Sequence, residues 1–225
     1  MKSSNKSSLI KFVVLLVLFI CFTILVKVIN VDSIGPNGSE VGFSNINKSF
    51  HDLLPYNEMF YNISKYLGYL SFGIIALYGL TGLIQLIKKK SLAKVDKELL
   101  ILGGFYVVVL VVYFLFEKVV INYRPVLEKG ALEASYPSSH TILSICVCLS
   151  SIMVASRIFK NKDFVKWFNV CTSLLMVGIV VTRLLSGVHW LTDIFGGILI
   201  SLALCMLFHY LIGFVPKNKK SSWFI

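Results

Sequence analysis

Charged residues are scarce in this chain of 225 residues. Asp, Glu, Lys and Arg together make up 15% of the sequence, whereas 56% of the residues are hydrophobic. A soluble domain of this length needs more polar surface than such a composition supplies. The sequence therefore excludes a soluble protein and predicts an integral membrane protein.

Cysteine and arginine are also rare. The five cysteines all fall in apolar stretches, and an odd number of thiols in apolar surroundings argues against a disulfide framework and against a metal site. We therefore expect no metal and no other cofactor. Most of the 22 basic residues are lysines, and two of the few arginines, Arg124 and Arg183, stand at the ends of apolar stretches. Those two arginines require a functional explanation.

Six apolar stretches have the length, about 20 residues, that crosses a bilayer as a helix. They are residues 9–29, 63–87, 99–116, 141–157, 167–185 and 194–215. The sequence predicts an all-α integral membrane protein with six transmembrane helices in one bundle, and a single domain over residues 1–225.

The lysines predict how these helices are oriented. With the N-terminus inside, most basic residues fall at the cytoplasmic ends of the spans, including Lys88 to Lys90 and the C-terminal Lys217, Lys219 and Lys220. We expect both termini in the cytoplasm and an irregular extracytoplasmic loop over residues 30–62. The net charge of +11 is then a topology signal. Its expected partners are anionic membrane lipids, not nucleic acid.

Polar residues concentrate in three clusters on the opposite, extracytoplasmic side. They read "EKVVINYRP" at 117–125, "YPSSH" at 136–140 and "TRLLSGVHWLTD" at 182–193. Clusters at the ends of separate helices meet on one membrane face when the helices pack side by side. The region 117–193 therefore holds the candidate functional site.

These residue types suit the binding of a phosphate. Arg124 and Arg183 present planar forks of N–H donors that match phosphate oxygens and stay charged at any relevant pH. A helix that starts directly after Pro137 offers free backbone N–H groups, to which Ser138 and Ser139 add hydroxyls. Together they predict an anion site at a helix N-terminus.

Two histidines fit the two tasks of phosphate-ester cleavage. One imidazole attacks phosphorus and the other donates a proton to the departing oxygen. Asp193 follows His189 by four residues, a spacing that brings the two side chains together on a helix. A carboxylate on one ring nitrogen fixes the tautomer and frees the other nitrogen to attack. We assign His189 as nucleophile and His140 as general acid.

The ordered set R-P, P-S-S-H and R-x5-H-x3-D resembles the type 2 phosphatidic acid phosphatase superfamily, whose motifs read K-x6-R-P, P-S-G-H and S-R-x5-H-x3-D. The resemblance implies a six-helix membrane phosphatase that acts on lipid phosphates without a metal. It also implies catalysis by His140, His189 and Asp193. Phosphate binding is implied for Arg124, Ser138, Ser139 and Arg183.

Three positions depart from the family pattern. Ser139 replaces a glycine and Thr182 replaces a serine, and both keep the group that matters for phosphate binding. Glu117 occupies the position of the first-motif lysine, while Lys118 follows one residue later, rotated by about 100° on a helix. One hypothesis is that Glu117 pairs with an arginine or with a cationic group on the substrate.

The predicted function is hydrolysis of a lipid phosphate or diphosphate at the outer face of the cell membrane, through a phosphohistidine intermediate. Candidate substrates are isoprenoid diphosphate, which ranks first, phosphatidylglycerophosphate and phosphatidic acid. One alternative is a lipid phosphotransferase, which transfers the phosphate to an acceptor other than water. Another is a membrane protein that binds lipid phosphate without cleaving it.

Overall fold

The computed structural model describes residues 2–128 and 130–216, and within them the regular structure is helical. Seven α-helices follow one another along these residues: α1 (Lys2–Val28), α2 (Ser44–Leu53), α3 (Glu58–Lys89), α4 (Lys97–Lys118), α5 (Ser139–Ile158), α6 (Lys162–Leu185) and α7 (Leu191–Ile212). All of these except α2 are long and apolar enough to cross a membrane. The prediction of a multi-pass, all-α membrane protein with six spans is confirmed.

Several helices begin earlier than the apolar stretches indicated, because polar N-caps lie outside the apolar segment. The Asn57 side chain accepts a hydrogen bond from the Phe60 N–H at 3.1 Å and starts α3. The Asn161 side chain accepts from the N–H groups of Asp163 and Phe164, both at 3.0 Å, and starts α6. Each cap satisfies backbone donors that the first helical turn leaves free.

The connection between α1 and α3 is more ordered than predicted, because it contains the helix α2. Asn47 of α2 is fully buried, and its side chain forms hydrogen bonds to the segment before α2 and to the start of α7. Its Nδ2 donates to the Gly42 carbonyl at 2.8 Å and to Thr192 Oγ1 at 3.0 Å, and its Oδ1 accepts from the Thr192 N–H. The α2 helix is thereby tied to the first turn of α7.

The bundle is built around α5 and α7, which are the most buried of the six long helices. Helix α5 packs against α3, α4, α6 and α7, and α1 packs along α7. Gly196 allows a close approach, because a Cβ atom there would lie 2.5 Å from the Tyr136 ring. The Ser138 N–H donates to the Asp193 carbonyl at 3.0 Å. The first turns of α5 and α7 are therefore held side by side.

The opposite end of the bundle carries the short connections 90–96 and 159–161 and many of the lysines. Arg157 there lies 3.7 Å from Glu98 and donates to the Val215 carbonyl at 3.0 Å. Lys217, Lys219 and Lys220, part of the predicted cytoplasmic charge, lie outside the described residues. The cytoplasmic location of the termini stays a prediction from the lysine pattern.

Candidate active site

Two connections and two helix starts meet at one end of the bundle. The connection between α4 and α5 (119–138) folds back on itself through an antiparallel bridge between Tyr123 and Ala134. The indole Nε1 of Trp190, in the connection between α6 and α7, donates to the Tyr123 carbonyl at 2.7 Å. We call this end, formed by residues 119–138 and 186–190 with the first turns of α5 and α7, the site end.

His189 is buried at the site end, directly before α7. Its Nδ1 lies 2.9 Å from Ser135 Oγ, and Ser135 Oγ donates to Asp193 Oδ2 at 2.5 Å. The direct separation between His189 Nδ1 and Asp193 Oδ2 is 3.7 Å, too long for a hydrogen bond. The predicted proximity of His189 and Asp193 is present, but a serine hydroxyl that the motifs did not indicate stands between them.

Arg183 is 1% exposed at the C-terminal end of α6 and approaches the other side of the His189 ring. Its Nη2 lies 3.2 Å from His189 Nε2, and its Nη1 donates to Ser64 Oγ at 3.5 Å. The guanidinium also lies over the Tyr61 ring, 5.4 Å from the centroid. Among the described residues, Arg183 Nε has no hydrogen-bond partner. A buried guanidinium with an unused N–H group can receive a phosphate oxygen.

The donors and acceptors around His189 determine which ring nitrogen carries the proton. A guanidinium only donates, so Nε2 must accept from Arg183 and carries no proton. The proton of the neutral ring is then on Nδ1 and is donated to Ser135, whose own proton goes to Asp193. Burial, followed by the positive charges of Arg183 and Arg124, lowers the pKa of His189 well below its ordinary value of 6.5. At neutral pH the Nε2 lone pair is therefore present and faces Arg183.

Arg124 is nearly buried in the 119–138 connection and holds two carboxylates. Its Nη1 forms an ion pair with Glu128, and its Nη2 lies 3.3 Å from Glu133. The Tyr61 hydroxyl donates to Glu128 Oε1 at 2.7 Å. Glu117 lies exposed in the last turn of α4. In the described part of the chain the carboxylates paired with Arg124 are Glu128 and Glu133, so an arginine partner for Glu117 is wrong. Pairing of Glu117 with a cationic group on the substrate stays a hypothesis.

Glu128 lines the same cavity as His140 and Arg183. Burial by itself raises the pKa of Glu128, but the hydrogen bond from Tyr61 and the charge of Arg124 outweigh burial and leave that pKa below its ordinary value. Glu128 is therefore an anion at neutral pH, bound to an arginine that is a candidate phosphate ligand.

The start of α5 lies where the sequence predicts, since the helix begins at Ser139. Ser138 is fully buried, its N–H donates to the Asp193 carbonyl, and its hydroxyl accepts a hydrogen bond from Thr141 Oγ1, whereas Ser139 is partly exposed. The N–H groups of Ser139 and His140 are in the first helical turn, where the helix provides no acceptor. Of the two predicted serine ligands, Ser139 is thus better placed than Ser138 to meet an anion.

His140 is shared by two cavities that meet at α3. One has a volume of about 660 Å³ and is lined by three tyrosines together with Lys65, Glu128, His140 and Arg183. The other has a volume of about 310 Å³ and lies between α3, α4 and α5, with Phe72, Val109, Leu110 and Leu143 in its wall. The His140 ring packs on Gly68, where a Cβ atom would lie 3.5 Å from Cδ2. Helix α3, for which no site residue was predicted, therefore forms one wall of the site.

Residues 116–216 match the family model of the PAP2 superfamily. The match confirms, over these residues, the resemblance to the type 2 phosphatidic acid phosphatases that the motifs indicate. The fold is similar to the crystal structure of a transmembrane PAP2-type phosphatidylglycerolphosphate phosphatase from Bacillus subtilis. That match has a TM-score of 0.57 and 19% identity, and it covers 94% of this chain and 98% of the other. The comparison with curated proteins gives no significant match.

Replacing Ser135 tests the hydroxyl between His189 and Asp193. We expect Ser135→Ala to lower kcat by about 10- to 100-fold with little change in KM, because the Nδ1–H loses its acceptor and the ring its orientation. Ser135→Thr keeps a hydroxyl and should recover most of the loss. Steady-state kinetics on detergent-purified protein, matched for thermal stability, check this. Full turnover by Ser135→Ala would contradict the assignment.

Replacing Glu128 tests its competition with phosphate for Arg124. Glu128→Gln removes the negative charge but keeps an acceptor for the Tyr61 hydroxyl, so inorganic phosphate should inhibit more strongly, with its inhibition constant lowered by about two- to fivefold. Glu133→Gln is the matched control, because Glu133 is more exposed and more distant from Arg124, and its effect should be smaller. A raised inhibition constant in Glu128→Gln would mean that this carboxylate organises the phosphate site instead of competing for it.

Proposed function

We propose that this multi-pass membrane protein is a phosphatase that hydrolyses lipid phosphates through a phosphohistidine on His189. The observation that carries the proposal is the contact between His189 Nε2 and the Arg183 guanidinium, which is buried and retains an unused N–H group. An unprotonated Nε2 and a cation for the attacked group then stand side by side. This combination suits attack on phosphorus.

In the first step, His189 Nε2 forms a bond to phosphorus as the bond from phosphorus to the leaving oxygen breaks. Arg183 and Arg124 hold the phosphate oxygens, the latter once Glu128 has given way. Protonated His140 transfers its proton to the leaving oxygen, so that a neutral alcohol or a lipid monophosphate departs. The Ser135 hydroxyl and Asp193 stabilise the positive charge that develops on the His189 ring.

In the second step, water attacks the phosphohistidine. His140, now neutral, accepts a proton from that water, and His189 leaves with its lone pair restored. Inorganic phosphate is released and both histidines return to their starting states. Every charge in this cycle is held by side chains of the protein, so we infer that the reaction requires no metal.

A lipid substrate is supported by the apolar cavity that reaches His140 from between α3, α4 and α5. An apolar path at the general acid suits a leaving group that carries a hydrocarbon chain. Isoprenoid diphosphate, phosphatidylglycerophosphate and phosphatidic acid all present such a group. The lysines at the other end of the bundle support a site end on the extracytoplasmic side.

The proposal is tested by phosphate release from those three lipids in detergent, with EDTA present. We expect the wild type to release phosphate from at least one of them and His189→Ala to release none, since no other group replaces Nε2. His209→Ala is a matched control, because His209 Nδ1 contacts Ser8 near the other end of the bundle. Activity that EDTA abolishes, or that survives in His189→Ala, would refute the mechanism.

A further inference from the structure

Lys65 lies on the face of α3 that points at the site end. Residues three, four or seven positions apart share one face of a helix, so Tyr61 and Gly68 flank Lys65, and the adjacent Ser64 shares a face with both of them. Tyr61 contacts Glu128, Ser64 contacts Arg183, and Gly68 contacts the His140 ring. Lys65 itself lines both cavities that meet at His140.

The Lys65 ammonium has no protein counter-ion in residues 2–128 and 130–216. The ion pairs found there do not include Lys65, and Glu128, which lines the same cavity as Lys65, is paired with Arg124. Lys65 is exposed and lines the polar cavity, where an ammonium without a protein counter-ion attracts an anion that enters.

Lys65 lies on the side of the site where the proposed leaving group departs. His189 and Arg183 lie on the side of the attacked phosphate, and His140 marks the leaving oxygen. Lys65 lies at the junction of the polar cavity with the apolar cavity, on the path that the leaving group takes. In a lipid diphosphate, the group that follows the leaving oxygen is a second phosphate. In a lipid monophosphate, a carbon atom occupies that position.

We infer that Lys65 binds the second phosphate of a lipid diphosphate, the one attached to the hydrocarbon chain, and so makes the enzyme favour diphosphates over monophosphates of the same lipid. The inference rests on the proposed function and assigns its substrate class. After cleavage, Lys65 stabilises the charge of the departing lipid monophosphate, while His189 carries the phosphate that was removed.

Farnesyl diphosphate and farnesyl monophosphate test this inference, because they share one chain and differ by one phosphate. Phosphate release is measured for the wild type, Lys65→Ala, Lys65→Arg and Lys118→Ala. Lys118 is the matched control, since it is an exposed lysine at the same end of the bundle and lines neither cavity.

We expect Lys65→Ala to lower kcat/KM for the diphosphate by about tenfold, while kcat/KM for the monophosphate changes much less. Lys65→Arg should restore the preference, and Lys118→Ala should leave both values unchanged. An equal loss on both substrates, or no loss on either, would overturn the role of Lys65 while the phosphatase function stands. Failure of the wild type to cleave either substrate or any other lipid phosphate would refute the function itself.

Discussion

The proposed chemistry depends on one buried imidazole held between a hydroxyl and a guanidinium. Ser135 Oγ contacts Nδ1 of His189 and Arg183 contacts Nε2, at 2.9 and 3.2 Å. Because the guanidinium only donates hydrogen bonds, this pair of neighbours permits a single tautomer of the neutral ring. Burial among positive charges then keeps the ring neutral. The lone pair needed for attack on phosphorus is a consequence of these contacts.

The scaffold serves this arrangement by fixing the first turns of α5 and α7 against each other. Asp193 does so twice, since its carbonyl accepts the Ser138 N–H and its carboxylate accepts the Trp190 N–H at 2.8 Å and the Ser135 hydroxyl. Gly196 lets the Tyr136 ring approach α7 closely, and the Tyr136 hydroxyl lies 2.8 Å from Thr23 Oγ1 on α1. Asp193 therefore contributes both to the packing of α5 against α7 and to the orientation of the His189 ring.

Sequence reasoning predicts the parts of this protein that depend on local patterns. Apolar length gives the six spans, and the spacing of the two arginines, two histidines and Asp193 selects the helix ends that meet. Contacts between distant segments have no such pattern. Ser135 precedes the P-S-S-H motif and contacts residues more than 50 positions away. Lys65 lies within the predicted span 63–87, where no motif marks it. Asn47 likewise orders α2 through a contact with Thr192 that no periodicity indicates.

The acidic partners of Arg124 lie outside the family motif. Glu117 occupies the position of a lysine in the pattern, but the carboxylates that contact Arg124 come from Glu128 and Glu133. The connection 119–138 folds back through its bridges and returns these side chains to the arginine. Position in a motif fixes the chemistry of a residue, whereas the path of a loop decides what that residue contacts.

The most direct measurement of the central claim is the site of phosphorylation on the His189 ring. The wild type is mixed with a lipid phosphate labelled on its terminal phosphorus and quenched within one turnover, and the labelled residue and ring nitrogen are identified by mass spectrometry and ³¹P NMR. We predict a phosphoramidate on Nε2 of His189, because Nδ1 carries the ring proton and donates it to Ser135 Oγ. Label on Nδ1, on another residue, or on no residue during active turnover would contradict it.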